Sequence, residues 1–379
     1  MDTSTGVTTR ALDESGLAPG PHSPPRSNGA DSAVTDTPRK VVTNAASTGI
    51  RIDRKRLKSL ARRSDVPGLA HLAVWVAAMG VTGSLVWLAL GTLYVWPAMF
   101  VYGVVMSVPA YSLSHETAHG TAFRTRWLNE TVFWITSLLY GEEPLHRRYT
   151  HTNHHTHTWY VGLDSQMPFD TPLDFKGWLY DVSGLSVHRF QIRVLWQLAT
   201  RRYTPLMREV SPQAELPKMT RNARIFCLVY LGMAASIAAG YAWLLWFYVL
   251  PRLIGGPIML MFNIIQHAEM QENSPSIIES TRTFRTNRVG RFLYLNMNHH
   301  IEHHLYPQVP FYSLPRLHKA VAEQTPKPDP GFWRTNIDLL SVVVRRSLGR
   351  RTRAAWIRQA PHMVTDGGAY SKIAKATMQ

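Results

Sequence analysis

One cysteine, Cys227, occurs in 379 residues. That excludes an internal disulfide, a Cys-ligated iron–sulfur cluster and a cysteine-built zinc ribbon. Acidic residues are also few: 25 Asp and Glu stand against 41 Lys and Arg, giving a net charge of +16. A nucleic-acid partner would suit that balance, but no DNA- or RNA-recognition motif accompanies it. The excess sits instead beside apolar segments. Arg51, Arg54, Lys55, Arg56, Lys58, Arg62 and Arg63 precede the first one, and Arg345, Arg346, Arg350, Arg351, Arg353 and Arg358 lie near the C-terminus. Basic flanks of this kind belong on the cytoplasmic side of a membrane, next to anionic lipid. Residues 1–48 lack an apolar run of signal-peptide type and are rich in Ser, Thr, Pro, Gly and Asp. They are expected to form a disordered tail that the chemistry does not need.

Long apolar runs, by contrast, are present. Residues 67–90 and 92–113 are each near the roughly 20 residues that cross a bilayer as helix, with only Gly91 between them for a turn. A second pair, 225–239 and 243–265, repeats the plan around Gly240. The expected fold is an all-α membrane protein with four transmembrane helices in two hairpins and a cytosolic, histidine-rich helical cap. Its parts are the tail (1–48), a basic juxtamembrane segment (49–66), the membrane domain (67–325) and a basic cytosolic region (326–379). Neither hairpin turn carries Lys or Arg, so the termini and the segment 114–224 are predicted to be cytosolic. A helix from Thr92 to His119 would be about 42 Å long against roughly 30 Å of hydrocarbon, and so would project its end into water. Trp127 to Tyr140 is apolar but too short to span, and reads as an interfacial or buried cap helix. Arg252, inside the fourth span beside Pro251, needs a partner or a cavity; helix packing around the proline is the expected reason for it.

The histidines fall in clusters: His115 and His119; His151, His154 and His155; His300, His303 and His304. Spacing of i, i+3 and i+4 puts each cluster on one helix face. With His267, at the end of the fourth apolar run, they offer about nine nitrogen ligands, too many for one metal ion and about right for two. His115-Glu116-Thr117-Ala118-His119 also satisfies the H-E-x-x-H pattern of zinc proteases. A single catalytic zinc takes three protein ligands, which would leave most of these histidines unused. Closed zinc-storage sites usually use cysteine, which every cluster lacks. Imidazole alone does not choose the metal. The ligand number and the membrane setting point to two irons that bind O2 and oxidise an unactivated C–H bond in an apolar molecule.

His115-x3-His119, His151-x2-His154-His155 and His300-x2-His303-His304 resemble the three histidine boxes of the membrane fatty acid desaturase and hydroxylase superfamily, in order and in their alternation with spans. Asn263-Ile264-Ile265-Gln266-His267 resembles that superfamily's additional Asn-x3-His element. The stretches His115 to Thr125 and Asn296 to His304 are similar to a bacterial branch that includes dihydrorhizobitoxine desaturase and related hydrocarbon oxygenases. In that branch the position of His299 is more often aromatic. The resemblance implies two irons held by His115, His119, His151, His154, His155, His267, His300, His303 and His304, with Asn263 acting through water. His146, His157 and His299 lie off the matching positions and are expected to support the ligands from behind or to lie at the surface rather than to bind metal. Glu116, Asp164, Glu269 and Glu302 are candidates to accept hydrogen bonds from the distal imidazole nitrogens. The implied activity is O2-dependent desaturation of an acyl chain or aliphatic side chain, with hydroxylation or ketone formation on the same metals as the alternative. There is no haem-binding His-Pro-Gly-Gly and no Gly-rich dinucleotide fingerprint. A separate electron donor, ferredoxin or similar, is therefore expected on the basic cytosolic face.

Overall fold

The computed structural model describes residues 48–167 and 171–349. Nearly all of the expected tail, and the basic residues from Arg350 onward, lie outside them. Among the described residues the structure is helical, with one isolated bridge, between Phe284 and Asp329, and no strand.

Helix α1 (Arg54–Leu60) is capped by the Asp53 carboxylate, which accepts from the Arg56 amide. It leads into α2 (Asp65–Ala89), a tight turn at Gly91, and α3 (Val95–Ala118). Gly91 takes a φ of 80°, which a side chain would disfavour. This is the expected first hairpin. Its outer surface carries large exposed apolar side chains, among them Val76, Leu85, Leu88, Leu93 and Trp96. Such a surface suits lipid rather than water.

Three helices are long and apolar enough to cross a membrane: Arg54–Ala89, Val95–Ala118 and Leu245–His267. The third expected span is not among them. Residues 225–239 form the end of helix α8 (Leu216–Ala238), whose first half holds Lys218, Arg221 and Arg224. Only Ile225 to Ala238 is apolar, about 21 Å at 1.5 Å per residue, against roughly 30 Å of hydrocarbon. The first half packs instead on α7 (Leu185–Ala199), where Met219, Ala223 and Phe226 meet Val194, Leu195 and Leu198.

The fourth expected span is one segment with a break. A π-turn at Leu245–Val249 passes into α9 (Leu250–Gly255) and then α10 (Pro257–His267). Pro251 has no N–H and would crowd the carbonyl four residues back, so a widened turn before it is the expected response. Helix α9 lies against α3 almost backbone to backbone. A Cβ at Gly103 would come 1.9 Å from the Pro251 carbonyl oxygen, and one at Gly255 would come 2.4 Å from the Val104 nitrogen. Small residues at a membrane helix crossing permit this approach. Near the hairpin tips Trp87 stacks on Trp243 with ring centres 4.8 Å apart.

Arg252 is satisfied by packing. Its guanidinium donates to the carbonyls of Leu139 and Tyr140, at the end of α4 (Arg126–Tyr140), and to His188 Nε2 and Gln191 Oε1. A cation at a helix C-terminus meets carbonyls that the helix leaves unbonded. Helix α4 is the short apolar helix expected at Trp127 to Tyr140, and it packs along α3. After Gly141 (φ 93°) the chain enters α5 (Pro144–Thr156). Proline opens this helix, and the Glu143 carboxylate accepts from the His146 amide at 2.6 Å. The remaining helices that frame the site are α6 (Phe175–Val182), α11 (His300–Leu305), α12 (Leu314–Val321) and α13 (Phe332–Ser347).

Candidate metal centre

Four elements bring the histidines together. The end of α3 supplies His115 and His119, α5 supplies His151, His154 and His155, the last residue of α10 is His267, and α11 supplies His300, His303 and His304. They sort into two groups. One is His115, His119, His151, His155 and His303; the other is His154, His267, His300 and His304. Within each group the candidate ligand atoms lie within 4.8 Å of one another. Helices α5 and α11 each contribute to both.

The fit to metal can be tested on the nitrogens themselves. His119 and His151 Nε2 are 3.0 Å apart, and His151 and His155 Nε2 are 3.1 Å apart. In the other group His267 and His300, and His300 and His304, approach at 3.1 Å through Nε2. Two imidazoles bound at right angles about 2.1 Å from one ion would stand about 3.0 Å apart. His303 is only 1% exposed, and neither of its ring nitrogens has a hydrogen-bond partner; His115 Nε2 is unpartnered as well. Buried nitrogens left bare are costly unless something else takes the lone pair. Burial also pushes the His151, His155, His300, His303 and His304 side chains well below the usual histidine range, and His119 down to about 3. They are neutral at pH 7, which is the form that binds metal.

The distal nitrogens are held by specific partners. His154 Nδ1 meets Asp164 at 2.8 Å, His151 Nδ1 meets Gln166 at 2.9 Å, and His300 Nδ1 meets Gln266 at 3.1 Å. His304 Nδ1 pairs with the Thr158 hydroxyl at 3.1 Å, and His267 Nδ1 with the Ser280 carbonyl at 2.9 Å. These contacts leave Nε2 turned to the centre. Of the four candidate carboxylates only Asp164 bonds to a histidine of the two groups. Glu116 accepts from Thr121 and from the Phe311 amide, and Glu269 pairs with Arg346. Glu302 is held by the Thr283 hydroxyl and His318. Each has a closer structural duty, because a buried carboxylate takes the nearest donors.

The off-pattern histidines also stand apart. His146 is buried, faces Phe190 and is pushed down to about 4 by burial. His157 pairs with Asn153. His299 stacks near His318 with ring centres 4.7 Å apart, and the two form a separate group with Glu302. Asn263 accepts from the Tyr111 hydroxyl at 3.1 Å. Sequence reading missed Gln166, Gln266 and Thr158. Amides and hydroxyls are too common for type or spacing to single them out.

A cavity of about 700 Å³ adjoins the centre. His115 and His151 reach it from one group, His154, His267 and His300 from the other, and Asn263 sits beside them. The arrangement can hold two metal ions at the wall of a pocket large enough for an organic molecule.

Comparison with known proteins agrees with this geometry. The family pattern described as fatty acid desaturase matches residues 90–336. The chain is 25% identical over 296 residues to sphingolipid delta(4)-desaturase DES1 of Xenopus tropicalis, covering 74% of this chain and 84% of that one. It is 28% identical over 253 residues to dihydrorhizobitoxine desaturase of Bradyrhizobium elkanii, covering 60% and 68%. It is 25% identical over 248 residues to sphingolipid delta(4)-desaturase/C4-monooxygenase DES2 of Mus musculus, covering 62% and 69%. Three histidine boxes, apolar spanning helices and a match over well over half its length together place this chain in the fatty acid desaturase family, as a membrane oxidoreductase.

Proposed function

We propose that the chain is an O2-dependent, non-haem diiron desaturase that introduces a C=C bond into an acyl chain or an aliphatic side chain of a lipid or specialised metabolite. The observation that carries this reading is the sorting of nine histidines, seven of them buried, into two groups, with members of both groups lining one cavity. When bound, two irons would supply reduction of O2 to water, with two external electrons, coupled to removal of two hydrogens from adjacent carbons. The protein's own part is positional. The distal partners orient five of the nine imidazoles, Asn263 and Tyr111 offer polar atoms beside the centre, and the cavity would hold the carbon pair against the histidine groups.

Hydroxylation or ketone formation on the same centre is the second reading, because the mouse relative's name joins desaturation with monooxygenation. A zinc protease is disfavoured. Glu116, which would be its general base, is bound to Thr121 and the Phe311 amide instead. A cytosolic active site and a ferredoxin-like donor on the basic face are supported by the charge distribution, and a bacterial inner-membrane location by the similarity to the Bradyrhizobium elkanii enzyme.

Iron analysis of the purified protein tests the metal: about two irons per chain are expected, and one zinc would overturn the reading. Lipid and metabolite profiling in a heterologous host, beside His303→Ala, tests the activity. A new unsaturated or hydroxylated product is expected from the native chain only; the same product from His303→Ala would refute the assignment of that box.

A further inference from the structure

Arg147 has no role in the reading above. It lies on α5 one turn before His151 and two before His154, hence on the face that carries these histidines. It lines the same cavity and is only 7% exposed. Its guanidinium carbon lies 4.8 Å from the centre of the Tyr111 ring, and the Tyr111 and His115 rings are 6.2 Å apart. The charge is therefore no farther than about 11 Å from the His115 ring.

Its hydrogen bonding is incomplete. Nε and one terminal nitrogen of the guanidinium have no hydrogen-bond partner. Glu142 Oε2 forms an ion pair with Nε at 3.5 Å but no hydrogen bond, so it balances the charge while leaving the guanidinium donors open. A buried cation with open donors facing a cavity is a poor structural element and a good anion receptor. The planar guanidinium presents donors in a fork that matches a carboxylate bidentately.

We infer that Arg147 is the receptor for a substrate carboxylate, and that the native substrate is a free aliphatic acid whose carbons near the acid end face the histidine groups. The short distance from Arg147 to the histidines sets the second part: a carboxylate seated there leaves room for only a few bonds before the centre is reached. This part rests on the proposed function, since it takes the histidines as the oxidising site. The recognition of the carboxylate does not.

Binding of octanoate and of octanol to the full-length protein in lipid nanodiscs tests the inference, by calorimetry, with iron content measured on the same samples. The native protein is expected to bind octanoate at least about tenfold more tightly than octanol, the margin of a charge-assisted pair over a neutral contact. Arg147→Gln should lose that margin while keeping its affinity for octanol, and Arg147→Lys should keep part of it. Equal affinities in the native protein would overturn the inference, as they would if Glu142 permanently filled the guanidinium. So would an undiminished margin in Arg147→Gln. If Arg147→Gln binds neither probe because it does not fold, the native comparison decides alone. A carboxylate preference in protein that binds no iron would refute the proposed function and leave the receptor standing.

Discussion

Asp164→Asn offers a sharp test of how the four-histidine group is built. One buried carboxylate takes three donors: His154 Nδ1 at 2.8 Å, the Trp159 amide at 2.8 Å and the Gln166 amide at 2.8 Å. Acceptance from Nδ1–H keeps His154 in the tautomer whose Nε2 lone pair is free for metal. An asparagine amide keeps one acceptor oxygen. His154 and the Trp159 amide share Oδ2, whereas the Gln166 amide uses Oδ1; if the asparagine oxygen takes the Oδ1 place, its NH2 faces His154 Nδ1 and selects the opposite tautomer, with a hydrogen on Nε2. Loss of such an outer partner weakens metal binding by about 10- to 100-fold, or about 1.4–2.7 kcal/mol. Chelator competition on purified protein would read this as earlier release of one iron of two, with the circular dichroism spectrum unchanged. Native affinity for both irons in Asp164→Asn would refute the tautomer argument. Release of both at once would show that the centres bind as one unit.

Three further outcomes follow from the geometry. His303→Ala removes an imidazole whose nitrogens have no other protein partner, so iron content should fall while Tm holds within a few degrees; a collapse in Tm with iron retained would make this residue structural. Gly255→Ala would drive a Cβ to within 2.4 Å of the Val104 nitrogen, and should destabilise the α3–α9 crossing by about 1–3 kcal/mol, seen as a lower Tm in detergent. Arg252→Met would strip the carbonyls of Leu139 and Tyr140 of a charged donor, costing about 2–3 kcal/mol; Arg252→Lys, with fewer donors, should rescue only part. Native-like thermal stability of Arg252→Met would mean that these carbonyls find other donors.

Much of the centre was legible in the chain because helical spacing is a geometric statement. His151, His154 and His155 must share one face of any helix they occupy, and the same holds for His300, His303 and His304. His267, a lone histidine without period, was legible from its place at the end of an apolar run and from the Asn-x3-His resemblance. The first hairpin was legible from length and from Gly91. The span expected at 225–239 was not, because Lys218, Arg221 and Arg224 lie just ahead of the apolar run and continue the same helix, which packs on α7 rather than crossing alone. The partners of the distal nitrogens were mostly hidden. Gln166 and Thr158 come from a stretch without period, and only the folded chain returns them to His151 and His304. Carboxylates were the natural guess, but Glu116, Glu269 and Glu302 found nearer donors.

The division of labour within α5 and α11 has a mechanical result. Neighbouring side chains of one turn serve different centres: His151 and His155 go one way and His154 the other, while His303 goes one way and His300 and His304 the other. Neither helix can rotate or slide to relax one centre without pulling on its twin. The spacing of the two histidine groups is thereby tied to the helix backbone itself, with its rise of about 1.5 Å per residue. The backbone acts as a ruler, and a substitution that bends either helix would put both groups out of gauge together.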